Sequence, residues 1–293
     1  MKVAFFPGCT AQTDQIGYEA SVRAIMPRLG VELVEMESAA CCGYPPYSSV
    51  NEAAWLYSSA RDMAIAEGIG LPLFTLCNGC HLSFTETRHM LEKNAPLKAR
   101  INEKLGREDL QYGGGFELLH IFELLHDRVG KDEIASAVTK PLIGFRFAAH
   151  PGCHSIRPSR LGRPDDSENP RKLDDLISWT GAQAVEYPGK VDCCGSSLAS
   201  ASGKTVMEIA GDKLKTVRAL ALDGLVTTCP FCFKVYDNRQ RAIASTIGDR
   251  TLEVPVFYYT QLLGLAMGLG QEQLGLELNQ SPIDPVLARI GGA

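Results

Sequence analysis

Ten cysteines divide into two sets of five with almost the same spacing. Cys9, Cys41, Cys42, Cys77 and Cys80 read C-x31-CC-x34-C-x2-C, and Cys153, Cys193, Cys194, Cys229 and Cys232 read C-x39-CC-x34-C-x2-C. No cysteine lies outside these sets. The flanks repeat too: Pro7-Gly8-Cys9 answers Pro151-Gly152-Cys153, Cys41-Cys42-Gly43 answers Cys193-Cys194-Gly195, and Cys77-Asn78-Gly79-Cys80 answers Cys229-Pro230-Phe231-Cys232. Such self-similarity marks an internal duplication. The thiolate is the metal-binding form of cysteine, and five thiolates near an interior need a cation to offset them. A structural zinc uses four ligands, as does an ordinary cubane iron–sulfur cluster. Five per set points to an unusual iron–sulfur cluster in which one sulfur, from the Cys-Cys pair, bridges two irons. Zinc and a dithiol redox pair stay as alternatives, the latter because Cys229-Pro230-Phe231-Cys232 has the C-x-x-C form after a strand. Buried cysteines acting as small hydrophobes do not explain a duplicated Cys-Cys-Gly.

Residues so far apart must be gathered by regular elements. Apolar patterning predicts strands over Lys2–Phe6, Val31–Met36 and Leu71–Leu76 in the first half, and over Leu142–Ala149, Ala184–Tyr187 and Leu225–Thr228 in the second. Between them fall predicted helices Asp14–Leu29 (Ile16, Ala20, Val22 and Ile25 inward), Asn51–Glu67 capped by Asn51, Arg171–Thr180 and Thr205–Leu222. Further helices start near Cys80 and Cys232. Each half is expected to close with an apolar helix, Phe116–Leu125 and Val256–Met267. Strands alternating with helices predict an α/β fold: two tandem duplicated domains, each a small parallel sheet flanked by helices. Ligands of such sheets bind beyond the carboxyl ends of the strands, where Cys9, Cys41–Cys42 and Cys77 fall. Adjacent cysteines on a strand would face opposite ways, so the chain must turn there, with Gly43 and Gly195 supplying the freedom. The expected domains are 1–136 and 137–270, joined by a short polar connection at Gly130–Pro141. Leu110–Gly115 is expected as a surface loop, and 271–293 as an extended tail docking on a partner.

Bulk properties narrow the class. The chain has 293 residues, 45% of them hydrophobic, with mean hydropathy near zero. A net charge of −5 leaves a nucleic-acid partner no electrostatic footprint. The start of the chain, with one lysine and a short apolar run, does not read as a signal peptide. Leu262–Leu269 falls far short of the roughly 20 residues that span a bilayer. The expectation is a cytoplasmic protein with no membrane segment, whose reducing surroundings favour metal binding over disulfides.

At these motifs the sequence resembles the cysteine-rich CCG domain family, in particular the B subunits of heterodisulfide reductases within it, over nearly the whole chain. The family pattern has about one residue more between the pair and the C-x-x-C. The resemblance implies two noncubane [4Fe–4S] clusters, one held by Cys9, Cys41, Cys42, Cys77 and Cys80, the other by Cys153, Cys193, Cys194, Cys229 and Cys232. It implies the catalytic component of a soluble complex that reduces the coenzyme M–coenzyme B disulfide to two thiols, the last step of methanogenesis. The substrate is cleaved between the clusters, each taking one sulfur. The chain lacks the C-x2-C-x2-C-x3-C-P signature of ferredoxin cubanes and a G-x-G-x-x-G fingerprint. Gly203-Lys204-Thr205 resembles the end of a P-loop, but Leu198 stands where its first glycine belongs. Electrons must therefore come from elsewhere, and the resemblance points to the ferredoxin-like C component of heterodisulfide reductase, fed by its flavin- and iron–sulfur-bearing A component. Competing readings are the CCG component of a lactate, glycolate, glycerol-phosphate or succinate dehydrogenase, and a pure electron relay.

Other residues carry weaker signals. His154 follows Cys153, and Arg157, Arg160 and Arg163 lie in the loop that is eight residues longer than its first-half counterpart. His154 and Arg157 are candidates to bind the substrate's sulfonate, phosphate and carboxylate groups; solvated surface arginines are the plain alternative. His81 is not repeated, Phe233 taking its place, so it is expected near the site or on a helix surface. His120 and His126 are expected on a helix far from any motif, and His150 at a strand end. Tyr44-Pro45-Pro46-Tyr47 differs from Ser196-Ser197-Leu198 after the second pair, which would give two unlike pockets.

Overall fold

The computed structural model describes residues 1–292. The first half runs β1 (Lys2–Phe6), α1 (Cys9–Thr13), α2 (Ile16–Ile25), β2 (Glu32–Glu35), α3 (Pro46–Val50), α4 (Glu52–Ile69), β3 (Leu73–Thr75), α5 (Asn78–Lys93), α6 (Ala95–Leu105), β4 (Leu118–His120) and α7 (Gly130–Ala137). The second runs β5 (Arg146–His150), α8 (Cys153–Ile156), α9 (Lys172–Trp179), β6 (Gln183–Ala184), α10 (Gly203–Ala219), β7 (Gly224–Thr227), α11 (Pro230–Phe233), α12 (Gln240–Thr246), β8 (Val256–Tyr258), α13 (Tyr259–Ala266) and α14 (Asp284–Gly291). Each half holds a four-stranded sheet, ordered β2-β1-β3-β4 and β6-β5-β7-β8, and every pairing is parallel. The α/β class with two small parallel sheets stands as the sequence predicts.

Helix signals act where the chain placed them. Asn51 caps α4 by accepting from Ala54 N at 3.1 Å, and Gly70 ends it with φ +74°. In α2 the inward stripe is Tyr18, Ser21, Val22 and Ile25, whereas Ile16, expected inward, is 55% exposed. A stripe through 18, 22 and 25 leaves position 16 on the outer side of a 3.6-residue helix.

Three other expectations are corrected. Both closing stretches begin as fourth strands, Leu118–His120 and Val256–Tyr258, before turning helical. Runs of three buried residues carry no period by which to tell strand from helix. The connection at Gly130–Pro141 contains α7, whose Ile134 is fully buried beneath a polar outer face. The stretch from 271 is not extended: it makes short 3₁₀ turns at Glu272–Leu274 and Leu276–Leu278, then α14. It folds onto its own chain, burying Leu274, Leu276, Ile283 and Val286. Asp237 accepts from Gln280 N and Ser281 N, both at 2.9 Å.

The halves share one interior. Phe5, Tyr18 and Ile25 of the first lie in the same buried cluster as Phe147, Tyr258 and Leu262 of the second. Helix α2 packs on α13, where Ser21 and Thr260 hydroxyls are 2.6 Å apart. Tyr18 stacks on Tyr258 with ring centroids 3.9 Å apart. The carboxyl ends of β3 and β7 come together as well, since the Tyr18 hydroxyl reaches both Leu76 O and Thr228 O. Among the described residues no helix is long and apolar enough to cross a membrane.

Candidate metal centre

Cys9 is the first residue of α1, just past the end of β1, and Cys77 caps α5 just past β3. Their sulfurs join those of the Cys-Cys corner. Cys9 Sγ lies 3.5 Å from Cys41 Sγ, and Cys42 Sγ lies 3.3 Å from Cys80 Sγ. Cys41 contacts Cys42, and Cys80 contacts Cys77, so the five follow one another in a chain. Gly43 turns the corner with φ +82°, and its N–H donates to Cys41 Sγ at 3.4 Å. Carbonyls of the pair are pinned from behind: Ser59 and Ser83 hydroxyls donate to Cys42 O at 2.8 and 3.0 Å, and Trp55 Nε1 donates to Ser83 at 2.7 Å. Helices α4 and α5 thus fix where the pair points. Gly8 has φ +82°, and a Cβ there would stand 3.2 Å from Cys80 Sγ.

The second half repeats the arrangement. Cys153 opens α8, and Cys229 caps α11 after β7. Cys153 Sγ is 3.6 Å from Cys193 Sγ, Cys193 contacts Cys194, and Cys194 contacts Cys232, which contacts Cys229. Gly195, at φ +79°, donates to Cys193 Sγ at 3.3 Å, and Ser196 N donates to Cys194 Sγ at 3.5 Å. Cys9 is exposed, while Cys153 is half-buried.

The thiols cannot all ionise together. Hydrogen bonds from Cys41 and Cys80 pull Cys42 down to about 6, while Cys42 pushes Cys80 up and Cys41 pushes Cys9 up. In the second set Cys193 is held far down by Cys153 and Cys194, and it raises both in turn. Hydrogen bonding thus favours thiolate at some of these sulfurs and thiol at others, which is what crowding imposes until a multivalent cation compensates. Among the described residues no three His, Cys, Asp or Glu side chains are disposed to hold a metal ion. Five thiols in mutual contact, backed by N–H donors, suit a multi-iron group and are consistent with iron–sulfur clusters.

Residues beside the two sets meet across the domain junction. Asn78, inside the first C-x-x-C, donates through Nδ2 to Pro151 O at 2.8 Å, and a Cβ on Gly152 would stand 2.7 Å from that same Nδ2. Tyr44, beside the first pair, reaches His154 Nε2 at 3.3 Å. Tyr44 and Asn78 face Cys153, Cys193, Cys229 and Phe231 across a small cavity of about 50 Å³. His154 lines it as well, and burial lowers its pKa.

Arg157 does not face this cavity; it is exposed and donates to Val191 O at 3.2 Å. Its neighbour Arg163 is the arginine that turns inward, donating to His154 O and lying 3.0 Å from His81 Nδ1. The expectation for His120 is corrected: it ends β4, fully buried, with Nε2 3.0 Å from Asn78 Oδ1. It is remote in sequence and adjacent in space. His81 is buried between Arg163 and Glu123. His126 lies away from the cysteines, stacked on Trp179, and His150 ends β5. Sequence reasoning missed Asn78, although its mismatch with Pro230 in the repeat was the available signal.

Comparison with known proteins agrees with the duplication. The family model described as "Cysteine-rich domain" (CCG) matches residues 3–85 and 147–235. The chain is 33% identical over 292 residues to the B subunit of the "Ferredoxin/F(420)H(2)-dependent CoB-CoM heterodisulfide reductase" of Methanosarcina acetivorans, covering 99% of this chain and 97% of that protein. It is also 33% identical over 276 residues to the "8-methylmenaquinol:fumarate reductase membrane anchor subunit" of Wolinella succinogenes, covering 94% and 95%. A solved structure of a hypothetical protein from Helicobacter pylori superposes with TM-score 0.77 at 17% identity, over 96% of this chain and 52% of that one, a likeness of fold.

Proposed function

Since this chain belongs to the cysteine-rich CCG domain family, alongside the B subunits of heterodisulfide reductases, we propose that it is the catalytic component of a heterodisulfide reductase-type complex. Cys9, Cys41, Cys42, Cys77 and Cys80 would hold one noncubane [4Fe–4S] cluster. Cys153, Cys193, Cys194, Cys229 and Cys232 would hold the other. When bound, the clusters supply electrons singly, two being needed to turn the coenzyme M–coenzyme B disulfide into two thiols.

The protein's own residues bind and shape. One observation carries this reading: a cavity at the domain junction is lined by cysteines of the second set and by Tyr44 and Asn78, which lie in the chain beside cysteines of the first. A disulfide bound there would touch both halves. Tyr44 and His154 close one side and limit water. Arg163, with Nε and Nη1 buried and unpartnered among the described residues, offers the positive charge for an anionic substituent, in place of Arg157. Electrons would come from the ferredoxin-like C component and the flavin-bearing A component of such a complex, in the cytoplasm.

A second reading has its own support. Equal identity to the fumarate reductase protein favours a role as an electron-passing component of another oxidoreductase. Oxidation of a reduced dye by the anaerobic protein, with and without the coenzyme M–coenzyme B disulfide, separates the two. Turnover with the disulfide supports the reductase, and inactivity of iron-loaded protein supports the relay.

A further inference from the structure

The two halves are alike in shape and unlike in buried charge. Helices α4 and α10 occupy the same place: Asn51 and Ser202 cap them by accepting from Ala54 N and Thr205 N. Trp55 and Val206, each four residues after the cap, pack beneath Gly43 and Gly195 of the two corners. Eleven residues after the caps stand Asp62 and Lys213. Their exposures are 0% and 6%.

Both do the same mechanical task. Asp62 Oδ1 accepts from Ala40 N at 2.9 Å, and Ala40 precedes Cys41. Lys213 Nζ donates to Asp192 O at 3.0 Å, and Asp192 precedes Cys193. The ammonium also donates to Gly189 O at 2.7 Å and Lys190 O at 3.2 Å. Each brace thus steadies a Cys-Cys corner, with a carboxylate in one half and an ammonium in the other. Neither makes a salt bridge among the described residues. Arg61, beside Asp62, is engaged by Glu108, and Asp62 Oδ2 has no partner. Around Lys213 stand the exposed Asp192, the Tyr187 ring at 5.7 Å, and His150, kept neutral by burial and by the ammonium itself. The charge of Lys213 acts on Cys232, Cys194 and Cys193.

A buried charge is weakly screened, so it acts on its neighbours far more than a surface charge would. Each one-electron reduction of a cluster adds negative charge without making or breaking a bond. An ammonium nearby stabilises the reduced form, and a carboxylate opposes it; local charge of this kind is among the determinants of cluster potential. We propose that Lys213 and Asp62 tune the two centres apart, so that the second-half cluster accepts an electron at a higher potential than the first. This rests on the cluster reading above.

The test is an EPR-monitored titration of the anaerobic, iron-loaded full chain with dithionite and redox dyes, held between the raised carboxyl of Asp62, about 7, and the lowered ammonium of Lys213, about 8, where both are largely charged. The two waves are assigned to halves with Cys42→Ser and Cys194→Ser. The second-half wave is expected at the higher potential. Lys213→Met should lower that wave alone, Lys213→Arg should leave it in place, and Asp62→Asn should raise the first-half wave alone. Coincident waves, a second-half wave at the lower potential, or a Lys213→Met protein with full iron content and unmoved potential would overturn the inference. Should Lys213→Met lose second-half iron, the other two arms decide: an Asp62→Asn protein in which the second-half wave or neither wave moves, or a Lys213→Arg protein whose second-half wave shifts, overturns it. Protein with no iron or sulfide defeats the cluster reading itself, a separate result.

Discussion

The Tyr18 hydroxyl, on a first-half helix, donates to the carbonyl of Thr228 in the second half at 2.7 Å. The same oxygen lies 3.3 Å from Leu76 O. Leu76 and Thr228 immediately precede Cys77 and Cys229, so one buried phenol ties together the backbones that carry both C-x-x-C turns. Tyr18→Phe keeps the stacking on Tyr258 but leaves a buried carbonyl without its donor. That loss costs about 1–3 kcal/mol, and anaerobic urea unfolding should show a lower midpoint with an unchanged slope. An unchanged midpoint would mean that another donor replaces the phenol.

The contrast between what the sequence told and what it hid follows the range of the interactions. Strand β1 and the Asn51 cap were legible because apolar patterning and capping act within a few residues. The gathering of the cysteines at strand ends followed from the duplication and the handed logic of parallel sheets. The contacts of Asn78 with Pro151, Arg163 with His81, and Tyr18 with Thr228 join positions 73, 82 and 210 residues apart. No local pattern announces such pairs. His120 illustrates the point: a histidine in an apolar run reads as part of a helix, and only the neighbouring strand β3 makes it the end of β4. The segment after 271 read as a tail because Gln280-Ser281-Pro282 interrupts it, yet Gly17 and Gly275 let it press against α2. A Cβ on Gly17 would stand 2.7 Å from Gly275 O.

Each cysteine set should load iron on its own. Cys42→Ser and Cys194→Ser each remove a central sulfur of one chain of contacts and leave the other untouched. Anaerobic iron and sulfide analysis should show about half the wild-type content in each variant, and almost none in the double variant. Complete loss from either single change would show that the halves do not bind independently.

Arg163, rather than Arg157, should matter to substrate affinity. Only the former lies against His154 and His81 with unpaired buried donors. A charge-assisted hydrogen bond is worth about 1.5–3 kcal/mol, so Arg163→Met should raise KM for an anionic disulfide roughly ten- to hundredfold with kcat little changed. Arg163→Lys should recover part of the loss, and Arg157→Met should leave KM alone. Iron content measured alongside reports whether the fold survives, and a kcat loss at constant KM would contradict the assignment.

Asp62 should leave a pH signature in stability. Burial raises its carboxyl from the ordinary 3.8 to about 7. The folded protein then holds that proton more tightly than the unfolded chain does. Stability from this group is full below the unfolded pKa and is lost as pH rises toward the folded one. The loss amounts to a few kcal/mol, since about 1.4 kcal/mol accompanies each unit. The isosteric Asp62→Asn has no such proton to lose and can still accept from Ala40 N. Urea unfolding of both proteins, equally iron-loaded, from mildly acidic to mildly alkaline pH should show the wild type losing stability relative to the variant up to about pH 7, with the gap constant above. Curves that stay parallel throughout would mean that this carboxyl is not held in the low-dielectric setting its burial implies.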